Sequence, residues 1–483
     1  MNIFGMRLIV ACLILSLLLF TLLVHTSPAV GGIKKSYEWT FWWCINLCPD
    51  DIDYNLTNAS IAFQYVKDLG CKFIRSDICW LDFEPENGTW NYSMIEWYRD
   101  YISLAENMGI GIIAAVHRAP QWALDLYNNN TTIFFKKWME FCGKVASELG
   151  DKIYYYQLWN EANHIFDPIK SEDDWKLFYW GRKGIKGNDS HFKIIVNVMC
   201  NVQYWDDALQ EWCSKVGNCI DVIGIDHYPG TWTASGYDDW YPLDRLIQLI
   251  SDPESPCYGK EGAITETGYS TYNELLHNEN MQCDFVNTSL PIIREKVASY
   301  NQNHTNKIIF ASWYELYDTV NPAWGNASQW CEIESHFGIL RENGSKKLAY
   351  PYLKEQISLY PDNTHWINVL AKYADGSAVS DANVTLTNLR TGEVLKNTTN
   401  SSGWAIFDLQ KFPSGFNIGD VIEIKGEKNS SVCVTNITVN NSTIQSATLF
   451  FNYVSDIPLN LYNSIIWGCS SIIYFVIFRR HSK

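Results

Sequence analysis

The sequence has little positive charge for its length. Its 483 residues include 37 lysines and arginines against 53 aspartates and glutamates, so the formal net charge at pH 7 is −16. A protein that follows a phosphate backbone needs a basic face, and this composition offers none. We therefore do not expect nucleic acid as a partner.

Several motifs with well-defined chemistry are also missing. The sequence contains no GxSxG elbow, no HExxH motif, no Walker loop and no EF-hand loop, and no GxGxxG follows its first strand-like run. It also lacks paired CxxC clusters, which disfavours structural zinc. These absences argue against esterase, metalloprotease, nucleotide-binding and calcium-binding functions. We expect neither a metal nor an organic cofactor.

Long apolar runs are present, but only at the two ends of the chain. Residues 8–24 follow Arg7 and precede a stretch of small residues, which predicts a signal peptide or N-terminal anchor over 1–30. Residues 461–478 carry no charge and are followed by a basic tail, 479–483. At about 1.5 Å per residue they would extend roughly 27 Å, just enough for a bilayer core. We expect a transmembrane helix over 457–478 and a cytoplasmic tail.

Glycosylation sequons and cysteines favour the same location. Asn-x-Ser/Thr sequons are dense, and they include Asn55, Asn58, Asn87, Asn91, Asn130, Asn188, Asn287, Asn326, Asn383, Asn397, Asn400, Asn429, Asn436 and Asn441. Most of the 14 cysteines lie between the two apolar segments. Three pairs are close enough in sequence for local disulfides, although connectivity stays open: Cys44 with Cys48, Cys71 with Cys79, and Cys213 with Cys219. We expect a membrane-anchored protein at the cell surface.

Residues 31–360 have the rhythm of repeated βα units. Eight runs rich in β-branched and aromatic residues alternate with stretches of helical period, which predicts an α/β fold, a (β/α)8 TIM barrel. A doubly wound open sheet is the alternative. The runs are YEWTFWWCI, CKFIRSDI, GIGIIAAVH, KIYYYQLWN, FKIIVNVM, IDVIGIDHY, EGAITET and KIIFASWYE.

Residues 361–455 change to an all-β pattern. Alternating segments such as HWINVLAKY, GWAIFDL and SVCVTNITV are separated by turn signals that include Asp375-Gly376 and Ser402-Gly403. This pattern predicts a small β-sandwich, and its short motifs resemble immunoglobulin-like or carboxypeptidase-regulatory-like accessory modules. We favour a spacer over a carbohydrate-binding module because no aromatic cluster is evident.

Two glutamates end predicted strands four and seven, and polar residues end several of the others. In a TIM barrel the active site lies at the carboxyl ends of the strands, so these residues should converge. Two carboxyl groups about 5 to 5.5 Å apart can cleave a glycosidic bond with retention, one as acid and base and the other as nucleophile. The converging set is Arg75, His117, Asn160, Glu161, His227, Tyr228, Glu266 and Trp313, with Asp77, Trp80, Trp232 and Trp240 as further candidates to line the cleft.

The ordered set resembles clan A glycoside hydrolases over residues 37 to about 355. The resemblance implies that Glu161 is the acid and base and that Glu266 is the nucleophile. It further implies that Asn160 orients the sugar, that Arg75 and Tyr228 support the nucleophile, and that Trp313 forms a platform under the sugar. Within the clan the series is most similar to family 5, with families 39 and 53 as alternatives.

One detail departs from the family 5 pattern. His227 and Tyr228 are adjacent here, whereas that family usually spaces the two residues by one. Neighbours on a strand point to opposite faces, so only one of the two should face the site.

The sequence therefore predicts a retaining glycoside hydrolase that cleaves β-linked polysaccharides or glycans. Two alternatives stay open. One is a cell-surface protein that binds carbohydrate without turnover, and the other is a transglycosylase, in which a sugar hydroxyl replaces water. Retention of both Glu161 and Glu266 favours an enzyme, because binding alone does not need an acid and a nucleophile together.

Overall fold

The computed structural model describes residues 41–186, 192–319, 329–360, 365–440 and 444–452. The predicted N-terminal segment 1–30, the predicted transmembrane helix 457–478 and the basic tail 479–483 lie outside these residues. Within the described ranges, no helix combines the length and the apolar character that a bilayer crossing requires.

Eight parallel strands close into a barrel in the order β1 to β8, which confirms the predicted TIM barrel. Six of the strands fall within the predicted runs, and β1 and β2 each extend one residue beyond theirs. Their bounds are β1 Trp42–Asn46, β2 Phe73–Cys79, β3 Gly111–His117, β4 Ile153–Leu158, β5 Lys193–Met199, β6 Val222–Asp226, β7 Glu261–Thr267 and β8 Ile308–Trp313.

The strands are buried on both faces, as parallel strands covered by helices must be. At their amino ends the barrel interior is filled by aromatic side chains. The Trp42 ring lies 5.5 Å from Phe73, 6.0 Å from Tyr155 and 6.1 Å from Phe310, measured between ring centroids. Towards the carboxyl ends the interior becomes polar, so one end of the barrel is a packed plug and the other holds hydrogen-bonding groups.

Helices surround the barrel, and several begin at asparagines. The side chains of Asn55, Asn91 and Asn130 each accept a hydrogen bond from a backbone N–H in the first turn of the helix that follows. The α-helices are Leu56–Leu69, Trp80–Phe83, Tyr92–Asn107, Gln121–Asn129, Thr131–Leu149, Asp174–Lys186, Trp205–Val216, Tyr241–Ser251, Glu279–Asn301, Gln329–Glu334 and Tyr350–Ser358, with short 3-10 turns at Pro49–Ile52, Gly150–Lys152, Gly217–Cys219 and Leu409–Lys411.

The predicted all-β region forms two sheets that share one apolar core. A four-stranded sheet has the order β11-β10-β13-β14, and a three-stranded sheet has the order β12-β9-β15, in which β15 runs parallel to β9. The strands are β9 Trp366–Tyr373, β10 Asn383–Asn388, β11 Val394–Thr398, β12 Trp404–Asp408, β13 Val421–Lys428, β14 Ser431–Thr438 and β15 Ile444–Phe451.

These sheets contact the barrel at the amino-terminal end of its strands. Tyr154, near the start of β4, hydrogen-bonds Asn368 and stacks obliquely on Trp366 at 5.2 Å between ring centroids. Ile444 packs with residues of the barrel interior. Because the predicted catalytic residues follow the opposite ends of the strands, this contact lies away from them.

The cysteine and sequon predictions have different outcomes. The thiols of Cys44, Cys48, Cys71 and Cys79 are free, and the free thiol of Cys213 contacts Cys257, so these local disulfides are not formed. Cys44 packs inside the barrel, which directs its side chain away from the turn after β1. Every described sequon asparagine is exposed or partly exposed, and glycosylation stays a prediction.

Candidate active site

Glu161 lies just beyond the carboxyl end of β4, on backbone of unusual shape. Trp159 has φ 64° and Glu161 has φ 46°, left-handed values that side chains other than glycine seldom adopt. Two hydrogen bonds hold this turn. The Trp159 indole donates to Asp167 at 2.6 Å, and the Glu161 backbone N–H donates to Asn197 Oδ1 at 3.1 Å. The turn thereby presents Glu161 at the mouth of the barrel.

A layer of amides beneath Glu161 fixes the orientation of Asn160. Asn160 Oδ1 accepts hydrogen bonds from Arg75 Nη2 at 2.7 Å, Asn197 Nδ2 at 2.9 Å and Gln157 Nε2 at 3.0 Å. Because its oxygen is surrounded by donors, the Asn160 amide nitrogen is left to donate towards the cleft. Gln157 Oε1 in turn accepts from Arg75 Nε at 2.8 Å.

Glu266, on β7, has two donors of its own. Arg75 Nη1 lies 2.8 Å from Glu266 Oε1, and the Tyr228 hydroxyl donates to Glu266 Oε2 at 2.5 Å. Each oxygen of the Glu266 carboxyl group therefore has a hydrogen-bond donor. The structure therefore brings together Arg75, Asn160, Glu161, Tyr228 and Glu266, as the sequence predicted.

A β-bulge in β7 is what turns Glu266 towards the barrel interior. Ile225 on β6 pairs with Ile264, but the next residue, Asp226, pairs with Glu266, so Thr265 is an extra residue in β7. A bulge of this kind re-aims side chains beside active sites. It allows Thr265 and Glu266 to face the site together, which strict alternation would forbid.

The structure places Tyr228, and not His227, against Glu266. The His227 ring packs against Trp240 at 5.3 Å between centroids, and its Nε2 lies 2.7 Å from the Asp239 carbonyl oxygen. The alternation of side chains along the chain explains this placement. Asp226 and Tyr228 point into the barrel, while His227 shares the outward face of Ile225. The predicted substrate contact through His227 is therefore wrong.

The predicted sugar platform is also wrong. Trp313 has no exposed surface and packs against Phe285 of the helix Glu279–Asn301. It occupies an outward position of β8, because Ser312 before it faces inward and donates to Asn46. Two of the further cleft candidates, Trp80 and Trp240, are likewise buried, at 0% and 1% exposure.

The next residue, Tyr314, lies near the site. Its ring lies 6.0 Å from that of Tyr228, and its hydroxyl donates to Glu334 at 3.3 Å. Removal from water and the nearby charge of Glu266 raise the pKa of Glu334 to about 8. Neither Tyr314 nor Glu334 is among the predicted site residues, although Tyr314 lies inside the eighth predicted run. Glu334 lies in none of the eight runs.

His117 and Asp77 form a separate group at the ends of β2 and β3. His117 Nε2 lies 3.0 Å from Asp77 Oδ1, and Arg118 Nη2 lies 2.9 Å from Asp77 Oδ2. Burial alone would raise the pKa of Asp77, but the His117 and Arg118 charges hold it well below its usual range. His117 thus lies at the mouth of the barrel, paired with Asp77.

A third carboxyl group, the buried Asp226, lies close to both predicted catalytic glutamates. Glu161, Asp226 and Glu266 each place an oxygen within 4.8 Å of the other two. A metal ion could bridge such oxygens, but those of Glu266 are occupied by Arg75 and Tyr228. Protein donors also occupy the carboxyl oxygens of Asp226. The three carboxyl groups are therefore better arranged to hold a proton than to hold a metal cation.

The two glutamates have opposite electrostatic surroundings. Removal from water, and then the negative charges of Asp226 and Glu266, raise the pKa of Glu161 well above its ordinary value. Glu266 instead faces the Arg75 guanidinium and the Tyr228 hydroxyl. A carboxyl group with a raised pKa therefore lies near a second carboxyl group whose two oxygens each contact a donor.

Comparisons with known proteins find the same fold. No family model and no curated protein matches the sequence. Among solved structures, a GH5_18 variant from Streptomyces cattleya in complex with Manβ1-4GlcNAc has TM-score 0.53 and 13% identity over 69% of this chain and 85% of that chain. The exo-β-1,4-mannosidase Op5Man5 from Opitutaceae bacterium strain TAV5 has TM-score 0.51 and 16% identity, covering 69% of this chain and 62% of that one.

A third similar structure belongs to another family of the same clan. The family 39 glycoside hydrolase from Bacteroides cellulosilyticus WH2 has TM-score 0.51 and 14% identity over 84% of this chain and 80% of that chain. The protein therefore has the (β/α)8 fold of the clan A glycoside hydrolases. Within that fold, structures of families 5 and 39 match it about equally well.

Proposed function

We propose that this protein is a retaining β-glycosidase in which Glu161 is the acid and base and Glu266 is the nucleophile. The observation that carries the proposal is the separation of the two carboxylates. Their oxygens lie within 4.8 Å, which suits direct attack by one of them, whereas inverting enzymes hold the pair about 6.5 to 9.5 Å apart to admit a water.

In the first step Glu266 attacks the anomeric carbon while the bond to the leaving oxygen breaks. The proton of Glu161 moves to that oxygen, and the aglycone departs as an alcohol. Positive charge that develops on the sugar ring is stabilised by the nearby carboxylates. The Asn160 amide nitrogen, set by three donors on its oxygen, would donate to the sugar 2-hydroxyl, a contact that strengthens in the transition state.

In the second step Glu161, now ionised, removes a proton from water. The resulting hydroxide attacks the anomeric carbon, and the ester bond to Glu266 breaks. Two inversions give net retention. Arg75 and Tyr228 stabilise the departing Glu266 carboxylate through the contacts that they make in the resting site.

The substrate class that we propose is a β-linked oligosaccharide or polysaccharide. β-Mannosides are the first members to test, because Op5Man5 is named an exo-β-1,4-mannosidase and the Streptomyces structure holds Manβ1-4GlcNAc. We also propose that the barrel is displayed outside the cell on a membrane anchor. The exposed sequons and the apolar terminal segments support this location.

The proposed reaction is tested by assaying the full chain on a panel of β-linked oligosaccharides and 4-nitrophenyl β-glycosides. We expect one panel member to be cleaved, with the β-anomer as the first product in proton NMR and with no loss of rate in EDTA. An α-anomer formed first would contradict retention. Binding without turnover would favour the carbohydrate-binding alternative, and sugar-to-sugar transfer products in place of free sugar would favour a transglycosylase.

A matched pair of neighbours tests the support of Glu266. We expect Tyr228→Phe to lower kcat by about 10- to 100-fold, because it removes a hydrogen bond to a charged group. His227→Gln is the control, since His227 contacts Trp240 and Asp239 instead. It should keep kcat within about threefold. A greater loss from His227→Gln than from Tyr228→Phe would contradict the assignment, measured as kcat and KM on the best substrate.

A further inference from the structure

The site contains a carboxyl group for which the two proposed catalytic steps have no role. Asp226 is the last residue of β6, is 2% exposed, and has an oxygen within 4.8 Å of both Glu161 and Glu266. A third carboxylate so close to two others is unfavourable unless its surroundings compensate for it. Its surroundings therefore indicate what it does.

Two protein donors hold Asp226 in place. Asn197 Nδ2 donates to Asp226 Oδ2 at 2.6 Å, and Thr265 Oγ1 donates to Asp226 Oδ1 at 2.5 Å. Thr265 reaches this position because it is the extra residue of the β7 bulge and because Gly224 leaves room. A Cβ on Gly224 would meet Thr265 Oγ1 at 2.6 Å.

These donors determine which carboxyl group carries a proton. Hydrogen bonds from neutral donors stabilise the ionised form of Asp226. Glu161 lies next to Asp226, and its side chain is within hydrogen-bonding reach of the Asp226 carboxylate. A neutral Glu161 can donate a hydrogen bond to Asp226, whereas an ionised Glu161 would meet a like charge. Burial and the charge of Glu266 raise the pKa of Asp226 as well. Asp226 nevertheless accepts two hydrogen bonds from neutral donors, so we infer that the proton of the pair rests on Glu161.

Asn197 links the two carboxyl groups mechanically. Its Nδ2 donates to Asp226 and to Asn160, while its Oδ1 accepts from the Glu161 backbone N–H. The same amide thus fixes the turn that carries Glu161 and the carboxylate that faces it.

We propose that Asp226 is a positioning residue that keeps the proton on Glu161 in the resting enzyme and thereby sets the upper pH limit of catalysis. This inference rests on the proposed function. In the second step the same negative charge would make the ionised Glu161 a stronger base towards water.

Other charged and titratable groups face this pair and must be held constant in any test. They are Arg75 on β2, Cys200 after β5, Tyr228 after β6, Glu266 on β7 and Glu334 on the helix Gln329–Glu334.

The test is the pH profile of kcat/KM for Asp226→Asn in the full chain. Glu161 must be protonated to act as the acid, so activity falls as the pH rises through its pKa. Removing the Asp226 charge lowers that pKa, and we expect the basic limb of the profile to move down by about one pH unit or more. Asp226→Glu restores the charge and should return the limb towards the wild-type position.

Asp174→Asn is the matched control. Asp174 is also a buried carboxylate, at 3% exposure, but it begins the outer helix Asp174–Lys186. Its replacement should leave the basic limb unchanged. An even loss of activity in Asp226→Asn at all pH values, without a shift of the limb, would overturn the proposal and leave Asp226 a structural role.

Two further measurements cover the case in which Asp226→Asn does not fold. Asp226→Ser removes the same charge and keeps a hydroxyl for Thr265 and Asn197. In the wild type, carbon-13 NMR of labelled carboxyl groups shows whether Glu161 and Asp226 titrate as one coupled pair. Independent titration of the two groups would overturn the proposal. Failure of the proposed function is separate, since it would appear as absence of glycosidase activity in the wild type.

Discussion

Glu266→Gln should lower kcat/KM by about 10⁴-fold or more on every substrate that the wild type cleaves. The amide is a poor nucleophile, so no covalent glycosyl intermediate forms. It also leaves the buried guanidinium of Arg75 without the carboxylate that it contacts at 2.8 Å. Initial rates on the best aryl glycoside measure the loss, and thermal unfolding confirms that the variant folds.

Glu334→Gln is the matched control for Glu266→Gln. Glu334 is a second carboxyl group at the same side of the site, hydrogen-bonded to Tyr314, but it is not placed for attack in the proposed mechanism. Its replacement should cost far less activity. A 2-deoxy-2-fluoro glycoside with a good leaving group should label the wild type on the peptide that contains Glu266. Labelling of a different carboxylate would contradict the nucleophile assignment.

Much of the fold and of the site could be predicted from the sequence, because both depend on local patterns. Buried parallel strands appear as apolar runs of strand length, and all eight runs became strands of one barrel. Barrel closure then brings strand ends together regardless of their distance in the chain. Arg75, Asn160, Glu161 and Glu266 could therefore be assigned to one site although they come from three different strands.

What could not be predicted depends on which face of a strand each residue occupies. Alternation places residues on opposite faces, but the starting phase is set by packing and by bulges. On β6 the phase buries Asp226 and Tyr228 inside and turns His227 outwards. In the family 5 pattern that the sequence resembles, one residue separates the histidine from the tyrosine. Here Asp226 and Tyr228 have that spacing, and the histidine between them, His227, drew attention away from Asp226.

The face of the strand also explains why Trp313 does not reach the site. The family resemblance implies that Trp313 forms the platform, but Trp313 has the outward phase and packs under a helix. Tyr314 follows it with the inward phase and lies beside Tyr228. The residue type of Trp313 suggested a sugar contact. The alternation of side chains along the strand instead places the ring of Tyr314, and not that of Trp313, on the side of the cleft.

Glu161→Ala should have an effect that depends on the leaving group. Glycosides with poor leaving groups need a proton from Glu161, so their kcat/KM should fall by about 10³-fold or more. Aryl glycosides of acidic phenols release the phenol without that proton, so the kcat/KM for these substrates should fall far less. The ratio of the two losses, measured on a series of aryl glycosides, reports the acid role directly. Equal losses across the series would contradict it.

A small external anion should restore the second step of Glu161→Ala. Without Glu161, water has no base and the glycosyl ester at Glu266 accumulates, but azide needs no deprotonation and can occupy the space that the side chain leaves. We expect azide to raise kcat on activated substrates and to give a β-glycosyl azide, because attack on the ester at Glu266 is the second of two inversions. Glu266→Gln lacks the ester and should not form this product. Formation of an α-glycosyl azide by Glu161→Ala would show that azide reacts with the substrate without the intermediate, which would contradict the proposed double displacement.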